Sequence, residues 1–164
     1  VDESMNPVPH GTTGQLAVRG PTGCTYLDDP RQQKYVRNGW NLTGDAYQMD
    51  EEGFFWFQAR SDDMIISSGY NIAGPEVEAA LMAHPSVSEC AVVGIPDEER
   101  GSLVKAFVVL RDGTEENEAM KQTLQDFVKK TIAPYKYPRS IEFRKSLPKT
   151  ETGKIQRFRL REEG

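Results

Sequence analysis

The sequence predicts an α+β protein, with a small sheet and packed helices preceded by a β-rich segment. Three observations support this class. Residues 70–84 and 115–131 have the apolar spacing of amphipathic helices. Short runs rich in Val, Ile and Phe have the alternation of half-buried strands. The hydrophobic content of 37% and the charged content of 27% are typical of a chain that builds a packed core.

The first sixty residues are predicted to form short strands and turns. QLAVRG (15–20) alternates apolar and polar side chains, and FFWFQ (54–58) is an aromatic strand that follows a turn. Between them, GWNLTGDAY (39–47) is punctuated by Gly and Asn, and we expect it to present side chains to a cleft. GTTG (11–14) leads into a strand and not into a helix, so it is interpreted as a turn and not as a phosphate loop.

From Asp62 onwards, predicted strands and helices alternate. The strand MIISS (64–68) precedes the first helix, in which Pro75 suits the first turn. The apolar face of this helix is predicted to comprise Val77, Ala80, Leu81 and Met82. The second helix is predicted to bury Met120, Leu124, Phe127 and Val128. Further strands are predicted at 87–95, 103–110 and 139–145. This βαββαβ order predicts one small sheet covered by helices, and a domain boundary between residues 1–61 and 62–164.

The net charge of −5 is unevenly distributed. Residues 136–161 carry nine basic and two acidic side chains, whereas the preceding residues are predominantly acidic. This distribution favours a small phosphorylated ligand over nucleic acid, because the acidic body would repel a polyanion. No run of 18 apolar residues and no signal-peptide pattern occurs, so we expect a cytoplasmic protein with no membrane partner.

The cysteines and histidines do not have the spacing of a metal site. Cys24 and Cys90 lie in unrelated contexts, and His10 and His84 have no second ligand nearby in the sequence. We therefore expect two reduced thiols and no metal held by this chain.

Several polar residues are candidates for ligand binding, each with a structural alternative. Asp45, in LTGDAY, could hold the two hydroxyls of a ribose or could stabilise its own turn. Arg60, in ARSDD, could bind a phosphate or could form a surface ion pair with Asp62 or Asp63. Gly69, in SSGYN, permits either a tight turn or the close approach of a ligand.

Two basic segments near the C-terminus are also candidates. APYKYPR (133–139) interleaves tyrosines with cations, which suits an adenine ring and its phosphates or a loop that packs on the body. PKTETGKIQR (148–157) presents Lys154 after a Thr-Gly turn. That lysine could belong to a solvated tail, or it could meet a phosphate and a carboxylate together.

These motifs occur in one order along the chain: GWNLTGD, DEEGFF, ARSDDMIISSGYNIAGPEVE, HPSVSECAVVGIPDEERG, APYKYPR and LPKTETGKIQR. In this order they resemble the C-terminal part of an acyl- or aryl-CoA synthetase of the adenylate-forming superfamily. SSGYNIAGPEVEAAL, YKYPRSIEF and TGKIQRFRLR most resemble the benzoate and 2-aminobenzoate CoA ligases. The resemblance implies a mobile C-terminal domain, 62–164, after a terminal β-rich piece of the N-terminal adenylation domain, 1–61.

The resemblance implies a role for each matched residue. Lys154 would reach the acid and the α-phosphate during adenylation, and Asp45 and Arg60 would hold the ribose and phosphate of ATP. Asp62 would be the hinge about which the C-terminal domain turns. The residues implied for coenzyme A are Ser68 and Gly69, beside the pantetheine, and Tyr135, Tyr137 and Arg139, at the nucleotide end.

The implied activity is an ATP-dependent acid–CoA ligase acting on an aromatic acid such as benzoate or 2-aminobenzoate. Its co-substrates are ATP, with Mg²⁺ held mainly by the N-terminal domain of the same parent chain, and coenzyme A. Alternatives are a medium-chain acyl-CoA synthetase, an adenylation enzyme that loads a carrier protein, and a module that binds nucleotides or RNA. Because the acid pocket belongs to the N-terminal domain, we expect residues 1–164 alone to be inactive.

Overall fold

The computed structural model describes residues 1–21, 23 and 27–163, and the prediction for Cys24 lies outside these residues. The chain forms two compact units, Val1–Asp62 and Asp63–Gly164. A short 3₁₀ turn, Ser61–Asp63, runs through the point of division.

The first unit is built on one antiparallel sheet. Its elements are β1 (Thr13–Val18), α1 (Arg31–Tyr35), β2 (Val36–Arg37), β3 (Trp40–Met49) and β4 (Phe55–Arg60). The long strand β3 pairs with β1, β2 and β4. The Gly- and Asn-punctuated stretch 39–47 thus lies almost entirely within one long strand. Leu42 and Ala46 are buried while Thr43 between them is exposed, and this alternation of faces supports the strand through Gly44.

The second unit begins with a hairpin followed by a helix. These elements are β5 (Met64–Ser67), β6 (Tyr70–Ala73) and α2 (Gly74–Met82). The predicted start of the helix at residue 70 is wrong, because 70–73 pair with β5 as a strand. The helix begins at Gly74, followed by Pro75. A Cβ on Gly74 would lie 3.0 Å from the Val92 carbonyl oxygen, a tight contact that favours glycine at this close approach.

The remaining elements form a three-stranded sheet with helices. They are β7 (Val87–Asp97), β8 (Gly101–Leu110), α3 (Glu118–Thr131), β9 (Ser140–Phe143) and α4 (Arg157–Glu162). Strand β8 is central, antiparallel to β7 and parallel to β9. The predicted α+β class is confirmed, although a separate two-stranded hairpin accompanies the main sheet.

Both faces of the three-stranded sheet are covered. One face contributes alternate residues such as Val92, Val104 and Val108 to a core shared with α2, α3 and the hairpin. Phe107 lies on the opposite face and packs with Leu147 and Leu160, which lie before and after the segment 148–157. The C-terminal residues 147–160 are thus anchored in the core and do not form a solvated tail.

The predicted inward faces of the helices are largely observed. Val77, Ala80 and Leu81 are buried, but Met82 is 45% exposed, because it lies at the C-terminal end of α2. Asn117 caps α3, since its side chain accepts a hydrogen bond from the Met120 backbone N–H. Among the described residues, no helix is long and apolar enough to cross a membrane.

Candidate functional site

Lys154 lies on a closed turn and not on an open tail. Lys149 and Ile155 form an isolated antiparallel bridge at the base of the turn. Inside it, Thr150 N donates to Lys154 O at 2.8 Å, and Lys154 N donates to Thr150 Oγ1 at 3.1 Å. Gly153 has φ +82°, a conformation in which side chains are disfavoured. The backbone of Lys154 is therefore fixed while its side chain is exposed.

The two ends of this turn are attached to the core. Leu147, just before it, is 5% exposed, and Leu160, just after it, is 1% exposed. Gln156 N donates to Pro148 O at 2.9 Å and closes the base. The packing of these two leucines therefore holds the turn on the body of the unit, and the turn can present the Lys154 ammonium group to a ligand.

Asp45, Arg60 and Asp62 come together in the first unit. Asp45 on β3 and Arg60 on β4 are paired across the two strands. Arg60 Nε contacts Asp62 Oδ1 at 3.2 Å, and these two side chains are 64% and 65% exposed. The predicted alternative of a surface ion pair is thus present. An ion pair this exposed contributes about 0–1 kcal/mol, so a phosphate could compete for the guanidinium.

Ser68 and Gly69 are the two turn residues of the β5–β6 hairpin. Their φ values are +50° and +79°, the positive pair that a type I′ hairpin turn requires. The neighbouring turn holds the hairpin tip: Ser68 N donates to Arg100 O at 2.9 Å, and Arg100 Nη1 donates to Ser68 Oγ at 3.1 Å. The hairpin presents the exposed Gly69 to solvent on a supported backbone.

The predicted coenzyme A segment packs partly on the body of the unit. Tyr135 stacks on Tyr70 with ring centroids 4.4 Å apart, and both remain about half exposed. Tyr137 lies between two cations, with Lys129 Nζ 4.3 Å and the Arg139 guanidinium 4.8 Å from its ring centroid. Arg139 Nη1 also donates to the Tyr137 hydroxyl at 2.9 Å. The structure therefore separates an accessible ring, Tyr135, from a half-buried one, Tyr137.

Tyr70 and Arg100 were not singled out from the sequence. The helical spacing of 70–84 predicts Tyr70 at the start of a helix. The two-residue loop Ser68-Gly69 between alternating segments was the signal that a hairpin, and not a helix, begins here.

Cys90 has the properties of an unreactive core thiol. Burial, supported by the charges of Glu78 and Glu89, raises its pKa to about 12. Its Sγ contacts the Glu78 carbonyl oxygen at 3.5 Å. The thiolate that nucleophilic chemistry requires is therefore disfavoured at neutral pH.

The described residues supply no metal site. Within them, no group of three or more His, Cys, Asp and Glu side chains is placed to hold an ion.

Residues 76–154 match the family model of the AMP-binding enzyme C-terminal domain. This part of the chain is similar to an AMP-binding enzyme C-terminal domain. The match extends from the first turn of α2 to Lys154. The expected resemblance to the C-terminal domain of the AMP-binding acyl-CoA synthetases is confirmed at this level.

Curated relatives extend the similarity beyond the AMP-binding C-terminal domain. The chain is 52% identical over 155 residues to an uncharacterized acyl–CoA ligase, YtcI, of Bacillus subtilis (strain 168), covering 92% of this chain and 29% of the relative. It is 48% identical over 170 residues to the mitochondrial acyl-coenzyme A synthetase ACSM3 of Rattus norvegicus, covering 98% of this chain and 29% of the relative. The chain thus spans less than a third of the length of these relatives.

Solved structures share the fold. The anthranilate CoA ligase AuaEII, in complex with anthranoyl-AMP, superposes with a TM-score of 0.81 at 40% identity, over 99% of this chain and 32% of that one. The o-succinylbenzoate CoA synthetase MenE of Bacillus subtilis, in complex with its acyl-adenylate intermediate, superposes with a TM-score of 0.77 at 32% identity. This match covers 93% of this chain and 31% of MenE.

Proposed function

We propose that the chain is the C-terminal part of an ATP-dependent acid–CoA ligase. In the first half-reaction a carboxylate oxygen attacks the α-phosphorus of ATP, and the bond to pyrophosphate breaks. In the second, the thiol sulfur of coenzyme A attacks the acyl carbon, and AMP leaves. The observation that carries the proposal is Lys154, exposed on a braced turn at the end of the matched AMP-binding domain.

Lys154 stabilises the adenylation transition state. Negative charge grows on the phosphoryl oxygens as the carboxylate attacks, and a compact ammonium group can contact a phosphate oxygen and a carboxylate oxygen together. A cation that arrives only for this step stabilises the transition state more than the bound substrates. Its closed turn limits the backbone motion that would weaken this contact.

Asp45 and Arg60 hold ATP. The Asp45 carboxylate can accept hydrogen bonds from two vicinal ribose hydroxyls, and Arg60, its cross-strand partner, can place a guanidinium beside the phosphate. Asp62 is the hinge, because it lies where the two compact units divide and in a short turn whose backbone can change without breaking a strand. The first unit is then the terminal piece of the adenylation domain, and the second is the mobile domain.

The hairpin tip and the aromatic segment bind coenzyme A. A Cβ placed on Gly69 would have no atom of the described residues within 4 Å. Gly69 therefore lets a pantetheine chain pass close to the backbone next to Ser68. Tyr135 offers a ring to the adenine, and Arg139 and Tyr137 lie in the same segment.

The acid is an aromatic carboxylate such as benzoate or 2-aminobenzoate. The 40% identity to an anthranilate CoA ligase supports this choice through relationship and not through a pocket within this chain. A second candidate is a medium-chain acid, and the similarity to acyl-coenzyme A synthetase ACSM3 supports an acyl substrate of another class. The third candidate is an adenylation enzyme that loads a carrier protein. Such an enzyme would not need residues 133–139 to bind the nucleotide end of coenzyme A.

The parent protein acts in the cytoplasm, and residues 1–164 alone do not complete the reaction, because the acid pocket lies in the remainder of the adenylation domain. Nucleic acid and membranes are not its partners.

The test uses the full-length parent enzyme with ATP, Mg²⁺ and a panel of benzoate, 2-aminobenzoate and octanoate. Acid-dependent pyrophosphate release followed by an acyl-CoA product is expected, with the highest kcat/KM on an aromatic acid. A preference for octanoate would select the medium-chain candidate. Adenylate formation without transfer to coenzyme A would select the carrier-loading enzyme, and no acid-dependent pyrophosphate release would refute the proposal.

A further inference from the structure

A partly buried ion pair lies close to the Lys154 turn. Arg157, the first residue of α4, contacts Glu78 on α2 through two nitrogens: Nη2 lies 2.7 Å from Oε2 and Nε lies 3.1 Å from Oε1. The side chains are 23% and 14% exposed, in contrast to the highly exposed pair Arg60–Asp62. Arg157 follows Lys154 by three residues.

The acceptor of this pair is itself fixed. Glu78 Oε1 also accepts a hydrogen bond from the Val92 backbone N–H at 2.9 Å, so the carboxylate is tied to the central sheet. Asp63 extends the network: it contacts Arg161 at 3.2 Å and Arg157 at 3.9 Å. The beginning of α4 is thus connected to α2, to β7 and to the residue after the predicted hinge.

The charges in this network support one another. Burial lowers the pKa of Arg157, but the hydrogen bonds and the charge of Glu78, together with Asp63, outweigh it and raise the pKa overall. The guanidinium therefore stays charged, and two parallel N–H···O contacts set its direction as well as its distance.

The other attachments of the turn are apolar or more exposed, and Lys149, on the side that precedes Lys154, places its Nζ 2.7 Å from Glu89 Oε1 with side chains 42% and 29% exposed. Leu147 and Leu160 fix the depth of the segment in the core, but apolar contacts are non-directional. The Arg157–Glu78 pair is directional, and Arg157 lies three residues after Lys154, where the chain leaves the turn. It is therefore suited to set the angle at which the turn leaves the body of the unit.

We propose that Arg157, held by Glu78, is a positioning residue for adenylation that fixes the direction in which Lys154 projects. This inference rests on the proposed function, since it matters only if Lys154 stabilises the transition state. Arg157 does not touch the substrate. It acts through Lys154, and its loss acts on the first half-reaction alone.

The test is an epistasis experiment in the full-length parent enzyme. R157Q is expected to lower kcat for adenylation by about tenfold to a hundredfold, because a displacement of about 1 Å can cost that much, with KM for ATP nearly unchanged. Thioester formation from supplied acyl-adenylate should persist. R157K, which keeps the charge but not the planar fork, should recover part of the rate. In the K154A background, R157Q should cause no further loss.

Two variants separate positioning from folding. E78Q removes the charge of the acceptor but keeps an oxygen for the Val92 N–H, and should reproduce the R157Q result. K105Q breaks another ion pair of the second unit, with Nζ 3.0 Å from Glu142 Oε2 on β9 and side chains 12% and 38% exposed, and should leave the ratio of the two half-reactions unchanged. If R157Q does not yield folded enzyme by circular dichroism, E78Q and R157K decide the question in the same assays.

The outcomes distinguish this inference from the proposed function. If the wild-type parent forms no adenylate, or K154A keeps the full rate, the proposed function fails. If those two behave as expected but R157Q, or E78Q in its place, keeps full adenylation, lowers both half-reactions equally, or lowers adenylation further in the K154A background, Arg157 is structural and the positioning role is refuted.

Discussion

Replacing Gly69 by alanine tests the hairpin tip with a change whose structural effect can be estimated. Gly69 has φ +79°, and a Cβ there would meet no atom of the described residues within 4 Å. The substitution therefore adds strain but no clash. An L-residue in this left-handed region costs roughly 1–2 kcal/mol, so G69A should lower the free energy of unfolding by about that amount.

Two other glycines have nearly the same φ elsewhere, so alanine there would introduce the same strain, and they serve as matched controls. Gly113, in the turn between β8 and α3, and Gly153, beside Lys154, have φ +82°, with no described atom within 4 Å of their Cβ positions. G113A and G153A should each lower stability by about the same 1–2 kcal/mol. The three variants thus introduce a similar backbone strain at three sites whose proposed roles differ.

The assay compares the two half-reactions of the parent enzyme with its thermal unfolding. We expect G69A to lower thioester formation from supplied adenylate by about tenfold or more while adenylation changes little, because the new methyl group faces the pantetheine path. G153A should lower adenylation instead, and G113A neither half-reaction. If G69A and G113A behave alike in the half-reactions, Gly69 is a turn residue only, and the proposed coenzyme A path is wrong.

Two further predictions concern side chains that the hairpin and the core hold. R100A removes the contact from Arg100 Nη1 to Ser68 Oγ, worth about 0.5–1.5 kcal/mol, and should slow the thioester step about twofold to tenfold without changing adenylation; an unchanged thioester rate would contradict this support role. Cys90, whose pKa is raised to about 12, should resist iodoacetamide at pH 8 in the folded protein and react after denaturation, as peptide mass spectrometry would show. Because the folded state holds this proton more tightly than the unfolded state, the thiol's contribution to stability should be lost as pH rises from about 9 towards 12, and rapid labelling of native protein would refute its burial.

The elements with strong local signals could be predicted from the sequence. The strands around 87–95 and 103–110 are rich in β-branched residues, and both form a few residues longer than predicted. The helix predicted at 115–131 begins at Glu118, after an Asn cap that sequence periodicity does not locate. Lys154 was placed on a turn by its Thr-Gly neighbours, and the turn is present.

Other features depend on contacts between distant residues. Tyr70, Ile72 and Ala73 supply apolar side chains just before α2, and only the pairing of 70–73 with β5 makes these residues a strand. The stacking of Tyr70 on Tyr135 joins residues 65 positions apart, and the Arg157–Glu78 pair joins residues 79 apart. Charge alone could not choose Glu78 among the many acidic side chains that precede the basic residues of 136–161.

The most direct test of the account is K154A in the full-length parent enzyme, with the two half-reactions assayed separately. By analogy with the loss of one donor to a developing oxyanion, removing this cation should cost roughly 3–4 kcal/mol, on the order of a few hundred-fold in the rate of adenylate formation. Thioester formation from supplied adenylate should remain near the wild-type rate. If both half-reactions fall equally, or neither falls, Lys154 is a structural residue and the proposed mechanism is contradicted.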